Sequence, residues 1–147
     1  MISDRLRWVL LIPFLIFGVG VWLNFQSDSA LRVQIERARE HWRAGQHSNA
    51  VELYKSAYTA APENKHADDI LWALGNIYFT NLYDAAAARD FFHKLVTQHP
   101  ESPLAGDACL KLAEIYEVEL GNASQAINYL KKASTLNASP NFRRRVR

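Results

Sequence analysis

The chain is poor in the residues that carry most enzyme chemistry. Of 147 residues only one, Cys109, is a cysteine, so no disulfide can form within the chain. Cys109 stands between Ala108 and Leu110 on an apolar helical face, where a small buried hydrophobe is expected. No cysteine lies near the amino terminus, which removes a lipoprotein-type lipid anchor there. The five histidines (His41, His47, His66, His93 and His99) show no metal-ligand spacing with each other or with the cysteine, and no metal or cofactor is expected. A glycine-rich phosphate loop, a nucleophile elbow and a Cys-x-x-Cys-His haem site are all missing, so the chain reads as non-catalytic. Large net charge is missing too: the formal value is +2. From Leu31 to Phe142 there are 11 basic and 13 acidic residues. That body offers nothing to nucleic acid, and no small-molecule substrate is expected.

What the chain does have is an apolar run. Trp8 to Leu23 are sixteen residues without a charge or a strongly polar group, extended by Asn24 and Phe25. This is slightly short of the roughly 20 residues a spanning helix needs. Trp8 and Trp22 mark its ends like interfacial aromatics, and Arg5 and Arg7 can snorkel. Pro13, Gly18 and Gly20 are tolerated in a membrane helix and offer a surface for a second one. A cleavable signal peptide is the competing reading. It is disfavoured by the length of the run and by the acidic Asp28 in the sequence that follows, where a small-x-small site is needed. A signal-anchor over residues 8–25 is therefore expected, with 1–7 as a cytoplasmic tail and 26–30 as a linker. Because Arg5 and Arg7 precede the segment, the remainder should be exported. In a Gram-negative bacterium that means an inner-membrane protein with its domain in the periplasm.

The rest of the chain repeats itself at a spacing of 38 residues. Ala50, Ala88 and Ala126 align, as do Tyr54, Phe92 and Leu130, and Ala57, Leu95 and Ala133. Leu74-Gly75-x-Ile77-Tyr78 recurs as Leu112-Ala113-x-Ile115-Tyr116, and Pro62 matches Pro100, with Pro140 slightly displaced. Apolar residues at three- and four-residue spacing predict two helices per unit. Helices are expected near 30–44, 48–61, 67–81, 84–98, 103–120 and 123–136. Asp68, Asp84 and Ser102-Pro103 are the expected start signals.

The first unit, Leu31 to Asn64, resembles a tetratricopeptide repeat, with Ala38, Gly45, Ala50, Tyr54, Ala57 and Pro62 on that motif's signature positions. The second and third units carry one extra residue between their helices. In this they are similar to the membrane-associated bacterial envelope branch of the family. The resemblance implies an all-α domain over 31–138, a short right-handed superhelix of units 31–64, 67–102 and 103–138. Leu82-Tyr83 departs from the motif by replacing the turn glycine of the second unit, and Arg37 takes a position usually apolar in the first.

The resemblance also implies a concave groove, lined by the first helix of each unit, for a peptide or a partner helix. Its positions are Arg32, Ile35, Arg39, Trp42 and Arg43, then Asp69, Trp72, Asn76, Phe79 and Thr80, then Asp107, Leu110, Glu114, Glu117 and Val118. Aromatic anchors and a charge gradient, basic toward the membrane and acidic at the far end, would hold and orient a bound segment. Some of these aromatics are equally readable as core.

Residues 139–147 end in Arg143, Arg144, Arg145 and Arg147, a basic tail suited to anionic lipid or an acidic surface and equally readable as a solvated terminus. No seventh, capping helix is expected after the third unit, so Ile127, Leu130, Ala133 and Leu136 should leave an apolar face open unless Phe142 folds back over it. The expected function is a tethered scaffold or assembly subunit of a larger membrane complex, binding other membrane or periplasmic proteins. A translocon-associated chaperone and a cell-envelope or division regulator are the alternatives.

Overall fold

A computed structural model describes residues 28–136. The expected anchor, residues 26–27 of the expected linker and the basic tail lie outside the described residues, and residues 28–30, expected as linker, are instead helical. Among those described there is no strand, and no helix is long and apolar enough to cross a membrane.

Six helices form three successive hairpins. α1 is helical from residue 28 to 43. It is followed by α2 (His47–Ala60), α3 (Ala67–Asn76), α4 (Ala85–Gln98), α5 (Ala105–Glu114) and α6 (Ala123–Thr135). Where they can be compared, these bounds agree with the expected ones to within a few residues, largest at α5. From α2 onward each helix packs against its neighbour in sequence. One apolar cluster joins α1, α2 and α3 through Ile35, Ala38, Tyr54, Ile70 and Leu74. A second joins α3 to α6 through Leu71, Phe92, Leu95, Cys109, Leu112 and Ala133. Tyr58, Tyr78 and Phe91 touch both. The aligned alanines Ala50, Ala88 and Ala126 are all buried, where a larger side chain would hold paired helices apart.

The extra residue of the second and third units has a definite place. It is absorbed in the last turn of the first helix, where Ile77–Asn81 and Ile115–Glu119 are π-helical. The Leu82 amide donates to the Ile77 carbonyl at 3.0 Å, and the Leu120 amide to that of Ile115 at 3.2 Å. Each pair is five residues apart. The chain then turns through a left-handed residue, Tyr83 (φ 55°) or Gly121 (φ 59°), and Gly45 (φ 75°) turns the first hairpin. Tyr83 pays the steric penalty that its glycine counterparts escape.

Helix starts partly follow the expected signals. Asp84 caps α4 by accepting the Ala87 amide at 2.9 Å, and Asn122 caps α6 in the same way. Asp68 does not cap: it lies inside α3 and accepts the Ser102 hydroxyl at 2.6 Å. Ser102 is nearly buried and also accepts the Leu104 amide. It therefore fixes the turn that precedes α5, which begins at Ala105 and not at Pro103.

Candidate functional site

α1, α3 and α5 carry all but four of the proposed groove positions, and those four (Phe79, Thr80, Glu117 and Val118) follow on the π turns. Between α1 and the start of α3 lies a cleft of about 390 Å³. It gathers Arg32, Ile35, Arg39 and Asp69 from the expected set and adds Glu36 and His66. Ile35 is almost wholly buried, so it forms the cleft floor and belongs mainly to the core. His66 Nδ1 stands 3.9 Å from the Asp69 carboxylate. A comparable cleft of about 410 Å³ is lined by His41 of α1 and by Asn49, Glu52, Leu53 and Ser56 of α2.

The aromatics are half-buried, each tied to a neighbour. Trp42 donates its Nε1 hydrogen to Asn81 Oδ1 at 2.9 Å, which links the first hairpin to the turn of the second. Trp72 packs on Phe92 with ring centroids 5.4 Å apart, so much of its area is core. Phe79 lies under Lys111 Nζ, 5.1 Å from the ring centre. Asn76 donates to the Trp72 carbonyl, and the Thr80 hydroxyl to that of Asn76, so both polar side chains are used within α3 and its last turn. Leu110 packs against the second cluster, half-buried, as is Asp107. Val118 is 71% exposed.

The charge gradient is weaker than the sequence suggests. Arg39 pairs with Glu36 at 2.6 Å and Arg32 reaches Asp28 at 3.5 Å, so the basic end is largely neutralised. Glu114 is matched in turn by Lys111 at 2.8 Å. Arg43 at one end and Glu117 at the other are exposed. Asp28 also accepts from Lys65 Nζ at 2.8 Å and from Asn64. The Lys65 and Asn64 hydrogen bonds hold its carboxyl below the usual carboxylate range. Sequence reasoning missed Glu36, Lys111 and Asn81. The first two were visible as three-residue spacings, Glu36 to Arg39 and Lys111 to Glu114. The Trp42–Asn81 bond spans 39 residues and had no local signal.

Cys109 is fully buried, and burial pushes its thiol up to about 11. Among the described residues no three His, Cys, Asp or Glu side chains cluster so as to hold a metal ion.

Residues 69–102 and 106–140 each match a family model of the tetratricopeptide repeat. The first segment takes in most of α3 with α4, and the second most of α5 with α6. The second and third hairpins are therefore tetratricopeptide repeats. No curated protein matches the chain.

Proposed function

We propose that this chain is a membrane-tethered protein-interaction module, the accessory or assembly subunit of a larger membrane complex. Tetratricopeptide repeats generally mediate protein–protein interaction and typically have no catalytic role of their own. The observation that supports this reading best is the row along α1, α3 and α5. Half-buried Trp42 and Phe79 are already fixed, by the Asn81 bond and by Lys111, and leave part of each ring open beside paired charges. Rings held in place in this way lose little freedom when a partner covers them. The fitting partner is an extended or helical segment with apolar side chains for the rings. A cationic group on it would face Glu117.

The apolar run Trp8–Leu23 tethers the module to the bacterial inner membrane, with the repeats in the periplasm. Its Pro13, Gly18 and Gly20 offer a second contact to a partner's membrane helix. Co-purification of the tagged full-length chain in mild detergent, read by mass spectrometry, tests the proposal. A fixed set of membrane proteins at near-equal stoichiometry is expected. A broad spread of substoichiometric exported proteins would instead make it a chaperone.

A further inference from the structure

The turns that close the three hairpins follow one another along one edge of the domain. Trp42 and Asn81 bond across the first two, and the π turn of the third packs against α4. The first turn, which has no inserted residue, carries only Ala44 and Gly45 at this edge. The two turns with a π insertion carry large apolar side chains instead. Leu82 and Leu120, both in the register of Ala44, are 38% and 49% exposed, and Tyr83 beside Leu82 is 86% exposed. Single π turns inside α-helices often mark functional positions. Tyr83 is also strained, holding a left-handed conformation (φ 55°) where Gly45 and Gly121 turn the other hairpins. Among the described residues its ring makes no hydrogen bond and no ring contact. A strained residue that only displays its side chain to solvent contributes nothing to the fold, and points to a ligand outside it.

We infer that this turn edge docks an amphipathic segment of a partner protein, one that presents apolar side chains flanked by lysine or arginine. Leu82, Tyr83 and Leu120 give the apolar contact, and a tyrosine ring offers a large area with few rotatable bonds to fix. Charge selects the rest of the partner. Residues 77–88 and 115–130 contain no lysine or arginine. Glu117 and Glu119 stand exposed next to Leu120 in sequence, and neither is in an ion pair among the described residues. These carboxylates attract a basic segment and repel an anionic lipid surface. Leu82, Tyr83 and Leu120 are not groove positions, so the edge is a second interface, which meets the groove row only at Glu117 and Val118. It stands whether or not the groove is occupied.

The test uses the full-length chain in zwitterionic lipid nanodiscs, with empty discs as the blank. The probe is a fluorescent helical peptide built of leucine and lysine, and its counterpart carries glutamate in place of lysine. The chain should bind the lysine peptide and not the glutamate one. Leu82→Ser, Tyr83→Gly and Leu120→Ser together should weaken that binding by about tenfold or more. Glycine keeps the turn at residue 83 without its strain and the two leucines are already exposed, so this variant folds, with circular dichroism as the check. Glu119→Lys should weaken binding with every apolar contact left in place. No binding of the lysine peptide, equal binding of both peptides, or unchanged affinity in the triple variant would each overturn the inference. Arg32→Glu with Asp69→Lys alters the groove cleft at the other ends of α1 and α3 and should change the affinity by less than about twofold. A larger loss there would assign the peptide to the groove and overturn the inference as well.

Discussion

The second and third hairpins share one register and one backbone path, yet they are packed differently. Both close on a π turn, both turn through a left-handed residue, and both stack a pair of rings, the second pair 38 residues after the first. These are Tyr78 on Phe91 at 5.5 Å and Tyr116 on Tyr129 at 5.4 Å. The second buries a phenylalanine where the third exposes a leucine, and it keeps Gly75 where the third has Ala113. The two substitutions are coupled. A Cβ on Gly75 would lie 2.5 Å from Phe92 Cε1 and 2.8 Å from Cδ1, so the glycine makes room for the ring. Leu130 is smaller and half-exposed, and at the register position of Gly75 the third hairpin buries Ala113. A repeat thus conserves its backbone and adjusts each pair of side chains to what lies on either side.

The contrast sets the size of the expected effects. Phe92→Ala should cost about 3–5 kcal/mol in urea unfolding. Leu130→Ala, at a half-exposed position, should cost only about 1 kcal/mol. Equal costs near the larger value would erase the contrast between covered and open positions. Gly75→Ala comes next, with roughly 1–3 kcal/mol lost to displacement of the Phe92 ring. Pairing it with Phe92→Leu, which recreates the third hairpin's combination, should recover part of that loss in a double-mutant cycle. A strictly additive cycle would show that the two positions are not coupled. Tyr83→Gly places in the second hairpin the residue that turns the third, and should raise stability by about 1 kcal/mol by relieving the left-handed tyrosine. No gain would mean that the 86% exposed ring contributes something the described contacts do not contain.

The smallest effect concerns the other end of the domain. Asp28 has a lowered pKa in the folded chain, so its bonds to Lys65 and Asn64 contribute fully above the unfolded carboxylate value. That contribution fades as pH falls through the lower, folded value. Asp28→Asn should flatten only this acid limb of the stability curve, and an unchanged limb would separate the pairing from stability.

Much of the fold was legible because it is periodic. Alanines at one phase, aromatics at another and prolines at unit ends define three hairpins, and the helix bounds follow within a few residues. The extra residue in two units was legible as an insertion, but its place was not. The apolar pattern runs unbroken through Ile77-Tyr78, and over five residues a five-residue hydrogen-bond step looks the same as a four-residue one. Leu82-Tyr83 was visible as a lost turn glycine, and the structure adds that Tyr83 itself takes the left-handed conformation. The groove was less legible. Family positions picked residues along α1, α3 and α5, but they could not tell that Ile35 is floor, that Trp72 leans on Phe92, or that Arg39 and Arg32 already have acidic partners. Each of those depends on side-chain direction and on neighbours far away in sequence.

A partner held on the α1–α3–α5 row, as proposed, should be released by changes at its exposed ends. The most direct test compares pull-downs of the full-length chain with those of Arg43→Glu combined with Val118→Asp, two exposed positions at opposite ends of the row. The control is Asp90→Lys combined with Glu52→Lys, exposed on α4 and α2. The first pair is expected to lose the stoichiometric partner while folding normally by circular dichroism, and the control to keep it. Partner recovery unchanged in the first pair, or lost only in the control, would place the interface elsewhere and contradict the account.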